Sequence, residues 1–192
     1  MDRDALLREL CHYRSPFPEE EAYARRGCQA LRFSEGCYHR EGPGLHVTAS
    51  TWVINPGGTA TLLLLHRKIG GWFQPGGHAD GEKNVLQVAI RECCEETGLP
   101  QSALRVLTPR IFDVDIHRVP ERRREPEHHH LDIRFLLETD DRLPLQGNLE
   151  SLEIRWVPLH GVRVYNHSRS LHRLVAKTRE WLRQQRRGHT QA

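Results

Sequence analysis

Between Gly76 and Leu99 a glycine turn, a helix cap, an apolar stripe and a stop signal follow one another without interruption, and this run limits the fold more than any other. Gly76 and Gly77 supply a backbone that turns tightly. Asn84 is a side chain suited to accept from the first amides of a helix, and Leu86, Ala89, Ile90 and Cys93 then recur at helical spacing. Gly98, followed by Leu99 and Pro100, ends the pattern. The spacing predicts a helix of about four turns with one apolar face on a core.

That helix carries Glu92, Glu95 and Glu96 on one side, with Arg91 four residues before Glu95. Like charges so spaced cost roughly 0.2–0.5 kcal/mol per pair, and the last turns of a helix favour cations. A solvated acidic helix end is one outcome for an isolated Glu-x-x-Glu-Glu. A bound cation is the other, and carboxylate oxygens at this density suit Mg²⁺ or Mn²⁺ shared with substrate phosphate.

Around this segment the pattern alternates between helix and strand. Residues Arg3 to Tyr13 and Glu19 to Leu31 predict two helices, a preface to the rest. Val47 to Ile54 and Thr59 to His66 predict a hairpin across Asn55-Pro56-Gly57-Gly58, and Trp72-Phe73 a short strand. Leu104 to Val119, His128 to Leu137 and Ile154 to Val157 predict further strands. Leu171, Leu174, Val175, Thr178, Trp181 and Leu182 mark a C-terminal amphipathic helix, with Arg186 to Ala192 expected to fray.

Gly77, five residues, Lys83, seven residues and then Arg91-Glu92-Cys93-Cys94-Glu95-Glu96-Thr97-Gly98-Leu99 resembles the signature of the Nudix hydrolases. That signature has Gly, five residues, Glu, seven residues, Arg-Glu, an aliphatic residue, any residue, Glu-Glu, any residue, Gly and an aliphatic residue. Lys83 stands where the family has its first glutamate, with Glu82 one place early, and Cys93 replaces a larger aliphatic. Gln74-Pro75-Gly76-Gly77 and the late Glu153 to Leu159 stretch extend the likeness over about residues 45 to 160.

The resemblance implies an α/β/α sandwich with a mixed sheet, residues 45–185, carrying a helical extension, residues 1–44. It implies a divalent-metal-dependent hydrolase that cleaves a phosphoanhydride bond in a nucleoside diphosphate linked to another moiety, or in a related small phosphorylated compound. Glu92, Glu95 and Glu96 would hold Mg²⁺ or Mn²⁺, with the Gly77 carbonyl as a further ligand and Arg91 steadying Glu95. Glu150 and Glu153 are the candidates for a general base. The rival is a Nudix-fold domain that binds a nucleotide without cleaving it.

Asp113, Asp115 and His117 alternate with Phe112, Val114 and Ile116, and His128, His130, Asp132 and Arg134 alternate in the following strand. If these strands pair, their polar faces coincide. The face is either the solvated side of an antiparallel sheet or a ligand site that His78 joins, contacting substrate or, as a further alternative, a second, softer metal. Arg122, Arg123 and Arg124 form a hairpin tip or a phosphate clamp. Trp52, Trp72, Phe73 and Trp156 are expected in the core, with base stacking as the alternative.

Composition narrows the partners. The net charge of +3, spread along the chain, favours a small anionic ligand over nucleic acid. The longest apolar run, Leu62 to Leu65, is too short for a membrane span, and Asp2, Arg3 and Asp4 follow Met1, so a cytoplasmic location is expected. Five cysteines without a C-x-x-C pair are expected to be reduced. Oligomeric state is left open by the sequence.

Overall fold

The structure is a computed structural model that describes residues 1–40, 44–121 and 126–190, with side chains through 188. The three arginines 122–124 of the expected phosphate clamp lie outside the described residues.

The preface forms as two helices, α1 (Arg3–Cys11) and α2 (Pro18–Phe33). The Asp2 carboxylate accepts from the Ala5 amide at the start of α1, and Pro18 opens α2 where its missing amide costs nothing. The cysteines depart from expectation: Cys11 and Cys28 form a disulfide that ties α1 to α2, while Cys37, Cys93 and Cys94 are free. Packing of α1 on α2 brings the two sulfurs together, and sequence spacing carried no sign of it.

One mixed sheet contains β1 (Leu45–Ile54), β2 (Ala60–His66), β3 (Gly71–Phe73), β4 (Gly76–His78), β5 (Arg105–Val106), β6 (Asp113–Val119), β7 (His128–Glu138) and β8 (Ser151–Pro158). Its spine runs β3-β2-β1-β7-β5, with β4 on β1, β6 on β7 and β8 on β2. The pairing of β1 with β7 is parallel along the whole of β1, and the remaining pairings are antiparallel.

Two expectations change here. The hairpin of β1 and β2 touches at Ile54 and Thr61 and then splays, with β4 continuing along that edge of β1 and β3 along that of β2. The single strand expected over Leu104 to Val119 is broken between Val106 and Asp113, where Pro109 has no amide to give a ladder.

Helix α3 (Val85–Thr97) follows its local signals. Asn84 accepts from the Gln87 amide at one end, and Gly98 closes the other at φ 71°, a conformation open to glycine. Val85, Val88, Ala89, Ile90 and Cys93 pack with Val47, Ala49, Leu62 and Leu131 in a core that also takes Leu6, Leu10 and Leu31 of the preface. On the other face of the sheet, α4 (Val162–Tyr165) and α5 (Arg169–Thr190) cover Trp52, Ile54, Leu63, Leu136 and Val157. The result is an α/β/α sandwich. Trp52 is fully buried and donates to Thr178 of α5 at 2.8 Å, as a core role requires. Helix α5 runs to Thr190, past the Arg186 from which fraying was expected, with 191 and 192 outside the described residues. Among the described residues no helix is long and apolar enough to cross a membrane.

Strand parity then sorts side chains between the faces. On β1, Val47, Ala49 and Val53 face α3, whereas Thr48, Ser50 and Trp52 face α5. β4 lies alongside, with Gly77 opposite Ala49 and His78 opposite Thr48. Gly77 therefore belongs to the α3 side and His78 to the α5 side.

Candidate functional site

The last turns of α3 run beside β4, and contact is close. A β-carbon on Gly77 would sit 2.3 Å from Glu92 Oε2, so only glycine lets that carboxylate lie on the backbone. The Gly76 amide donates to Glu96 Oε2 at 2.8 Å. Arg91 donates to the His78 carbonyl at 3.2 Å and to Glu92 at 2.7 Å, and its Nε lies 3.6 Å from Glu95. This one guanidinium joins the β4 loop to two of the three glutamates. Glu95 stands at the exposed rim, while Glu96 is buried.

The electrostatics of Glu92 and Glu96 are governed first by burial and then by neighbouring charge. Burial, with Glu92, Glu150 and Glu95 nearby, pushes Glu96 up to about 8, although the Gly76 hydrogen bond opposes the rise. Burial also raises Glu92, against the pull of Arg91. Glu150 and His66 complete the surroundings: single donor atoms of His66, Glu96 and Glu150 all lie within 4.8 Å of one another.

Several positions differ from expectation or resolve it. Glu153 points away from this site: its neighbours Ile154 and Trp156 pack in the α3-side core, so parity turns Glu153 to the α5 face, where Arg155 binds it. Glu150, in the turn before β8, is the candidate base that reaches Glu96. Lys83, at the position of the missing glutamate, donates to Glu35 at 2.7 Å, and Glu82 accepts from the Asn84 amide at 2.6 Å. Both thus have partners outside the carboxylate cluster. His66 was missed because a histidine ending an apolar strand has no motif.

The polar face of β6 and β7 assembles in register, with Asp113 opposite Arg134, Asp115 opposite Asp132 and His117 opposite His130. Its two ends have different fates. Asp113 and Asp115 are buried under α5, where Arg173 donates to Asp113 at 2.8 and 2.9 Å and to Asp115 at 3.0 Å, and Arg134 reaches both from β7. Asp132 accepts from Thr48, Ser50, Gln74 and Arg134. Lys177 of α5 meets buried Glu20 of α2 across the sheet edge. Glu20 also accepts from the Val114 amide, and Arg173 donates to the Val114 carbonyl, which satisfies the outer edge of β6 at Val114. Despite burial, Arg134 and Arg173 hold Asp113 and Asp115 well below the usual carboxylate range. The expectation that Asp113, Asp115 and Asp132 contact substrate is therefore corrected: their oxygens are committed to a closed ion network. Neither Arg173 nor Lys177 was foreseen, since both come from a helix distant in sequence.

At the other end the imidazoles gather. His78, His128 and His130 are joined by His46 of β1, which the sequence reading placed outside its strand. His117 flanks them, its ring 5.1 Å from that of His130 and its Nδ1 3.5 Å from Asp115. Burial holds His78 down to about 4 and His130 to about 2.

Comparison with known proteins agrees with this architecture. The family model of the NUDIX domain matches residues 44–184. A Mycobacterium tuberculosis protein named "Putative 8-oxo-dGTP diphosphatase 3" is 32% identical over 111 residues, 53% of this chain and 46% of that protein. A Lactococcus lactis protein named "Probable DHNTP pyrophosphohydrolase" is 34% identical over 70 residues, 35% of this chain and 40% of that protein. The chain thus spans under half the length of these curated relatives. Among solved structures, a Caenorhabditis elegans Ap4A hydrolase complex superposes with TM-score 0.59 at 19% identity, covering 71% of this chain and 96% of the other. At that identity the likeness speaks for the fold.

Proposed function

Because the chain belongs to the NUDIX family, we propose that it is a divalent-metal-dependent hydrolase of a phosphoanhydride bond in a small phosphorylated compound, a nucleoside diphosphate linked to another moiety or a close relative. The observation that carries this reading is the placement of Glu92 against Gly77 and of Glu96 on the Gly76 amide, with burial pushing Glu96 up to about 8. Carboxylates that repel one another without a neutralising guanidinium on Glu96 suit a hard cation brought from solution.

The donor chemistry fits Mg²⁺ or Mn²⁺: carboxylate oxygens from Glu92, Glu95 and Glu96, and the carbonyl oxygen of Gly77. When bound, such an ion neutralises phosphate oxygens and makes water a better nucleophile. The chain's own contribution is positional. Arg91 fixes Glu92 against the β4 loop, and the Gly76 amide fixes the orientation of Glu96. Glu150 approaches Glu96 from the turn before β8, which supports a role for it in orienting water and receiving its proton. Lys68 donates to Glu150 at 2.9 Å and lowers its basicity, so orientation is its larger share.

The test is a screen of nucleoside diphosphate compounds, dinucleoside polyphosphates and nucleoside triphosphates with Mg²⁺ and Mn²⁺, run beside Glu96→Gln. Metal-dependent phosphate or nucleotide release that Glu96→Gln abolishes supports hydrolysis. Saturable binding without turnover in any combination supports the non-catalytic domain.

A further inference from the structure

On the α5 side of β4, behind the glycine that bears Glu92, four histidines converge from three adjacent strands. His46 and His130 are opposite one another in the parallel β1–β7 register, His128 lies two residues before His130 on the same face, and His78 enters from β4. One ring nitrogen of each lies within 4.8 Å of the others. His46 stacks on His128 with centroids 4.6 Å apart, and His78 meets His130 edge-on at 4.6 Å.

The orientation of His128 is that of a ligand. His128 Nδ1 is 2.9 Å from the Pro126 carbonyl, and a carbonyl only accepts, so this nitrogen carries the proton. The neutral ring then presents its Nε2 lone pair to the cluster, an outer-sphere arrangement typical of metal-bound histidine. That Nε2 is 3.1 Å from His130 Nε2. Four nitrogens about 2.0–2.1 Å from a tetrahedral zinc are separated by about 3.3 Å, so this pair already has the spacing of two such ligands.

We propose that His46, His78, His128 and His130 form a closed, four-imidazole site for a zinc-class transition-metal ion, separate from the carboxylate site and pinning β4 to β1 and β7. Nitrogen donors select Zn²⁺ and its neighbours over Mg²⁺ or Mn²⁺, so one protein holds two sites of different softness back to back. With four protein ligands the site is structural, since no position is open to substrate. His117 stays outside, held toward Asp115.

Tag-free full-length chain, stripped with a chelator, is titrated with Zn²⁺ by calorimetry in excess Mg²⁺. One zinc per chain is expected, with affinity lowered more than about 100-fold in His46→Ala and His130→Ala and retained in Glu96→Gln. Zinc binding that survives both histidine changes, or that Mg²⁺ or Glu96→Gln removes, overturns the site. X-ray absorption on the zinc-loaded wild-type chain decides independently of how the variants fold. A shell with at least three imidazole nitrogens at about 2.0 Å supports the proposal, and an oxygen shell or fewer imidazoles overturns it.

Discussion

At the end of α3, Glu96 is buried among like charges and pushed up to about 8; on β6, Asp113 is buried more completely and yet held below its ordinary value. Burial acts in the same direction on both. The difference lies in the partners: Arg134 and Arg173 surround Asp113, whereas Glu96 has a single amide and three neighbouring carboxylates. The fold compensates the Asp113 cluster, and the Glu96 cluster, left with little compensation, is the one that suits the cation proposed above.

The contrast predicts opposite outcomes for removing charge. Replacing Glu96 by Gln lowers metal-dependent turnover by roughly 10³, about 4 kcal/mol of barrier, while the metal-free unfolding midpoint stays level or rises. Steady-state kinetics beside urea denaturation checks both halves. Arg173→Ala strands Asp113 and Asp115 without their cation and is expected to cost about 3–5 kcal/mol of stability, read from the same denaturation curves. A loss below about 1 kcal/mol would mean that the network is not what holds α5 to β6.

Acid sharpens the comparison. Asp113 and Asp115 have lowered values in the folded protein, so below the ordinary carboxylate range the unfolded chain binds more protons than the native one. Their stabilisation is fully present above about pH 4 and lost as pH falls through the folded values. Urea midpoints measured downward from pH 5 should decline, and Arg173→Ala should flatten that decline. The smallest effect is expected at Lys83, which is exposed and bonded to Glu35. Lys83→Ala should leave the unfolding midpoint and kcat unchanged; a large fall in kcat would show that this position serves the carboxylate site after all.

What was legible in the chain follows the range of the interaction that fixed it. Asn84 and Gly98 bound α3 by contacts within a turn, so the helix and its glutamates could be read directly. Alternation likewise exposed the facing residues of β6 and β7, because Asp115 and Asp132 keep parity in their own strands. It did not show that the face is closed, since Arg173, Lys177 and Glu20 arrive from helices at opposite ends of the chain. Glu153 was drawn to the site by its strand, although the parity of Ile154 and Trp156 already placed it on the other face. His46 fell one residue outside the strand assigned to it. The Cys11–Cys28 disulfide depends on helix packing that no spacing encodes.

The central claim is that Glu92 and Glu96 hold a hard divalent ion, and Mn²⁺ binding followed by electron paramagnetic resonance tests it without reference to any substrate. Wild-type chain and His130→Ala should bind Mn²⁺ alike, and Glu92→Gln and Glu96→Gln should each weaken that binding by at least about 10-fold, or 1.4 kcal/mol. Equal Mn²⁺ affinity in the wild type and both glutamine variants would contradict the account.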